Sequence, residues 1–239
     1  MGRRRLLRRR CRREILTMAR MTLDAFAEQV AQALGHRLVT LLLYGSAARG
    51  APLPEGAEMN TLLVSDGADE DLFSRLAVPV RAWTAAGHPA PLILTEREWR
   101  DAADAFPIEY QDIRDAHRVL AGRDPWQGIT VQREHVRRQL EHELMGKLVH
   151  LRQAYAAQWR QPKRLAEVVR GTRAGFFTML RAVLRLAGRT PPAAPDALLR
   201  EAGALIGFPA DNGLTDPVAY LAAVAQTAEY VNRMERTPS

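Results

Sequence analysis

Apolar residues at Leu23, Phe26, Ala27, Val30, Ala33 and Leu34 recur with the period of an amphipathic helix. The spacing predicts a helix over Thr22–Leu34, with Thr22 a good N-cap and Gly35 a stop. Leu38–Tyr44 is a short, continuous apolar run with β-branched members, the pattern of a buried strand. Ser46–Gly50 is small and turn-like and can open a short helix. Ala51–Ala57, with two prolines and a glycine, is loop, and Met59–Ser65 is a second strand. Asp69–Thr84 reads as a helix with Leu72, Leu76, Val80 and Trp83 on one side, kinked or ended by Pro79. Pro91–Thr95 is a third strand and Glu96–Asp104 starts another helix.

Beyond this point the strand signal stops. Phe106–Arg123 reads as a turn plus a short helix or strand. Val131–Gln158 and Arg164–Ala187 carry long helical patterns, separated by Pro162. Asp196–Ile206 and Asp216–Arg236 follow, each with Asp as a candidate N-cap. The predicted fold class is α+β: a small mixed-sheet domain over 21–128, then an all-α helical bundle over 129–239, most simply four antiparallel helices.

Charge changes this picture at one end only. The net charge is +7, but residues 1–20 hold nine arginines and one glutamate, which is +8, so the other 219 residues come to −1. A nucleic-acid partner is therefore not expected except through this basic tail. The tail lacks the apolar core of a signal peptide. It reads as a basic arm or as an over-extended start, with translation beginning at Met18 or Met21. No apolar run is long enough to span a membrane. The lone Cys11 cannot form an internal disulfide, so the expected location is cytoplasmic.

The candidate chemistry lies in Tyr44–Val64, YGSAARGAPLPEGAEMNTLLV. A glycine at a strand end lets backbone N–H groups approach a phosphate closely. Acids at i and i+2 on a strand point the same way and can clamp Mg²⁺, which takes hard oxygen ligands. Here the pair reads Glu58-Met59-Asn60, with an amide where a second carboxylate is needed.

With these residues in view, the chain resembles the DNA polymerase beta-like nucleotidyltransferase superfamily, whose bacterial members include kanamycin- and streptomycin-type antibiotic nucleotidyltransferases. The family pattern hG[GS] is matched by Tyr44, Gly45 and Ser46, and its [DE]h[DE]h metal pair falls on Glu58 and Asn60. FPIEYQDIRDAHRVLAGRDP, followed by the helix containing ELMGKLVHLRQAY, is similar to a bacterial group of such proteins with a helical C-terminal region. The resemblance covers residues 22–239. It implies Gly45, Ser46 and Arg49 as nucleotide-binding residues, and Glu58 and Asn60 as catalytic and metal-ligating ones. It also implies Mg²⁺ and a nucleoside triphosphate, ATP above others, as cofactors, with transfer of a nucleotidyl group to a small-molecule hydroxyl.

Two departures qualify that activity. Asn60 offers an oxygen without charge, removing a unit charge at about 2–4 Å from a divalent ion. The third acid is also missing: PLILT contains none, Thr95 stands where one is expected, and Glu96 and Glu98 come just after. The alternative is a non-catalytic nucleotide- or protein-binding member, a sensor or scaffold. Glu109, Asp112 and Asp115 either supply a base for an acceptor hydroxyl or are exposed helix charges. Arg137-x4-His142 is similar to the loose R-x4–6-H motif of HEPN-type ribonucleases, or is a solvated helix face.

Overall fold

A computed structural model of the protein describes residues 21–50 and 57–234. The basic tail and nearly all of the loop expected over 51–57 lie outside the described residues. The chain divides into two compact units. One takes the chain as far as Ala48, then Pro52–Arg97 and Arg118–Pro125. The other takes Arg49–Ala51, Glu98–His117 and everything from Trp126.

The first unit opens with α1 (Leu23–Leu34), capped as expected: the Thr22 hydroxyl accepts from Ala25 N at 3.2 Å. Then come β1 (Leu38–Tyr44), a 3₁₀ turn over Gly45–Ala48, β2 (Asn60–Ser65), α2 (Glu70–Ala85) and β3 (Leu92–Thr95). Pro79 sits buried inside α2 without ending it. The strand β4 (His117–Gly122) completes a mixed sheet of order β3-β2-β1-β4. β1 and β2 are antiparallel, with Tyr44 opposite Asn60, while β2 and β3 are parallel, with Ser65 beside Thr95. Phe26, Val30, Leu41, Leu63, Leu72 and Trp83 form the core, with Phe26 stacked on Trp83 at 4.5 Å. Each such fully buried apolar side chain contributes about 1.5–3 kcal/mol.

β4 was only half legible as a strand. HRVLAG is partly exposed and polar at its start, so no apolar run announces it. It is fixed to β1 at its far end, where Arg123 N donates to Val39 O at 2.9 Å. Gly122, at φ +82°, lies so close that a Cβ would stand 2.9 Å from both Thr40 Cα and the Val39 carbonyl carbon.

The second unit carries most of α3 (Glu96–Asp101), then α4 (Pro107–Asp115), α5 (Arg133–Gln158), α6 (Pro162–Leu186), α7 (Pro195–Ile206) and α8 (Pro217–Arg233). Helices α5–α8 pack together around Leu140, Leu144, Phe176, Leu180, Tyr220 and Val224. The architecture is thus α+β: a mixed four-stranded sheet followed by a helical region. Pro162 does more than break α5; it starts α6, where its missing N–H costs nothing. The same holds for Pro195 in α7, so the helix is preceded by Ala194 and Asp196 is not its cap. Asp216 does cap α8, accepting from Ala219 N at 2.8 Å. No described helix is long and apolar enough to cross a membrane.

Candidate functional site

In the first unit, the antiparallel register brings the Gly-Ser turn and the E-x-N pair to one end of the β1–β2 ladder. Tyr44 pairs with Asn60, so Gly45 begins its turn just past that pair. Gly45 adopts φ +79°, a conformation that L side chains rarely take, and a Cβ there would stand 3.6 Å from Asn60 Nδ2. Ser46 is exposed, Asn60 is half-buried and Glu58 is exposed. Gly45, Ser46, Glu58 and Asn60 therefore belong to one unit.

Motif reasoning missed a neighbour of this pair. Met59 N points at His88 Nδ1, 3.4 Å away, and the His88 ring lies on Trp83 with centroids 4.0 Å apart. Trp83 is held in turn by its indole N–H, which donates to Pro89 O at 3.0 Å. The signal available was the apolar face of α2, Leu72, Leu76 and Trp83, whose last member stands five residues before His88.

The third-acid position needs correction. Because β2 and β3 are parallel and Thr95 pairs with Ser65, Thr95 lies five residues along the ladder from Asn60, about 17 Å. Glu96 follows Thr95, and its carboxylate takes Arg123 at 2.5 Å. The head of β3 is the end nearer Asn60, since Leu92 pairs with Leu62. That head is preceded by His88-Pro89-Ala90-Pro91, which contains no acid. Among the described residues, no three His, Cys, Asp or Glu side chains converge as a metal site would require. One exposed carboxylate and one amide make a thin donor set for Mg²⁺.

Arg49 belongs to the second unit. Its guanidinium donates to Asp112 Oδ1 at 2.7 Å. Arg185 donates to the same oxygen at 3.2 Å and to Asp115 at 2.6 Å. Asp112, Arg49 and Arg185 are each close to nine-tenths buried. The acid cluster is thus committed to ion pairs on α4, and Glu109 accepts from Gln139 Nε2 at 2.9 Å. Arg181, one turn before Arg185, is pulled below the usual arginine range by burial first and then by Arg49; Asp112 opposes this, and Arg185 adds to the lowering. The sequence signal was present but dispersed: arginines at i, i+4 on α6 and aspartates at i, i+3 on α4 each share a helix face.

Arg137 is buried and bonded to Glu134 at 3.2 Å and Glu141 at 2.5 Å, an internal clamp on α5. No protein-family model matches the chain, and no match to it was found among curated proteins.

Proposed function

We propose that the α+β unit binds a nucleoside triphosphate at the Gly45–Ser46 turn, and that the protein works as a nucleotide-responsive binding protein of nucleotidyltransferase type. The observation that supports this is the pairing of Tyr44 with Asn60, which sets a positive-φ glycine against the neutral member of the E-x-N pair. A glycine backbone there leaves room for phosphate oxygens. The groups around it are an amide, an exposed carboxylate and an imidazole, in place of a set of acids. Mg²⁺ would enter as the nucleotide's counter-ion, with Glu58 as its one carboxylate and Asn60 a neutral oxygen.

Nucleotidyl transfer to a small-molecule hydroxyl is the rival reading, and one experiment separates the two. Wild type and Asn60→Asp are incubated with each of ATP, GTP, CTP and UTP and Mg²⁺ or Mn²⁺, and pyrophosphate release is followed. The expected result is nucleotide binding without release by wild type, and measurable triphosphate cleavage by Asn60→Asp. Release by wild type, with a nucleotidylated product, would establish the transferase instead.

A further inference from the structure

We propose that the helical unit holds a second anion site, a cavity at the end of α6 built to take a phosphoryl group. The cavity has a volume of about 480 Å³ and is lined by Arg49, Asp115, Arg185, Arg189 and Thr190, with Pro191 and Ala193. The residues that line it belong to the second unit, and the inference does not rest on nucleotide binding at Gly45.

Arg49, Arg185 and Arg189 line the cavity and Arg181 adjoins them, giving +4; Asp112 and Asp115 return −2. The remainder of +2 matches a phosphate ester, which carries about −1.5 to −2 at neutral pH. Hydrogen-bonding capacity at the site is also unmet. Arg185 Nη1 and Arg181 Nε are buried and have no hydrogen-bond partner among the described residues. Asp112 Oδ1 already takes two guanidiniums, from Arg49 and Arg185. A buried donor without an acceptor is unfavourable, and a small turn of the Arg185 guanidinium, which lines the cavity, toward an oxyanion would satisfy it. The cations lining the cavity are arginines. The planar fork of arginine fits phosphoryl oxygens two at a time. The Thr190 hydroxyl adds a neutral donor. The cavity exceeds one phosphoryl group, so the ligand extends beyond it, as pyrophosphate or a phosphorylated small molecule does.

The test titrates the full chain with pyrophosphate, inorganic phosphate and ATP by calorimetry, using wild type, Arg189→Gln, Arg185→Gln and Gly45→Ala. Arg189 is exposed, so its replacement leaves the packing of α6 intact. The expected result is saturable pyrophosphate binding that weakens about tenfold in Arg189→Gln, the loss of one charge-assisted contact, with the Arg189-dependent part still present in Gly45→Ala. Competition by ATP that depends on Arg189 identifies the tail of a nucleotide as the source of the phosphoryl group. Pyrophosphate binding that ATP does not displace identifies another phosphorylated molecule. Either result supports the site. No saturable binding of pyrophosphate or phosphate by wild type overturns it, as does binding that both folded arginine variants retain in full. Failure of the Gly45 proposal is distinct: it appears as ATP binding that Gly45→Ala does not alter.

Discussion

Asp112→Asn keeps the size of the side chain and removes its charge at the point where two guanidiniums meet. Arg49 and Arg185 donate to the same carboxylate oxygen at 2.7 and 3.2 Å, and their side chains are 11% exposed against 15% for Asp112. At an effective dielectric constant near 20, a pair at such separations interacts by about 5–6 kcal/mol before desolvation is charged against it. Removing one partner of a buried pair costs about 3–5 kcal/mol, because the other charge stays buried. Here two arginines lose their shared partner, but both are slightly exposed, which places the expected loss near the lower end, about 3 kcal/mol. Urea denaturation followed by the helical circular dichroism signal measures it. Arg49→Gln in the Asp112→Asn background should recover about 1 kcal/mol or more, since one stranded charge is then gone. If a phosphoryl group enters the neighbouring cavity, the defect also shrinks in phosphate compared with chloride at equal ionic strength. A loss below about 0.5 kcal/mol in Asp112→Asn would contradict a buried, shared ion pair and place these groups among solvated surface pairs.

Gly122→Ala should destabilise by about 2–4 kcal/mol, combining a disfavoured positive φ with overpacking against the Val39–Thr40 backbone. Gly128→Ala, at φ +80° but facing open space, should cost only about 1–2 kcal/mol, and equal urea midpoints for the two would contradict the contact. Arg37 reaches Asp66, Asp69 and Asp71 at 2.9–3.0 Å. Its hydrogen bond, followed by the Leu72 N–H, holds Asp69 at about 2, below the ordinary 3.8. The folded value is depressed, so this stabilisation is complete above about pH 4 and is lost as pH falls toward 2. The melting-temperature gap between wild type and Arg37→Met should therefore be constant from about pH 5 to 8 and close below pH 4; a gap unchanged at pH 2 would contradict the assignment.

The elements that could be read from the chain are those whose local chemistry agrees with their packing. Thr22 and Gly35 bracket α1, and the apolar runs of β1 and β2 are buried on both faces of the sheet, with Leu41, Leu42, Leu62 and Leu63 fully inaccessible. β4 escaped because an edge strand needs no continuous apolar run. The parallel placement of β3 escaped because direction is a tertiary property that a short strand does not encode. That second point moved the expected third acid to the wrong end of the ladder. At the candidate site, the Gly-Ser turn and the E-x-N pair were legible because they lie close in sequence and adjoin paired strands. The approach of His88 to Met59 N, 29 residues away, was not legible, nor was the arginine cavity, whose Arg49, Asp112 and Arg185 come from distant parts of the chain.

Calorimetric titration of wild type and Gly45→Val with ATP in the presence of Mg²⁺ tests nucleotide binding at the Gly45–Ser46 turn. The glycine conformation at φ +79° is closed to a β-branched residue, and the turn must change if one is introduced. Saturable ATP binding by wild type, lost or weakened at least about tenfold in a folded Gly45→Val protein, is the predicted result. No saturable heat with any of the four nucleoside triphosphates, or equal affinity in the variant, would contradict a nucleotide site at this turn.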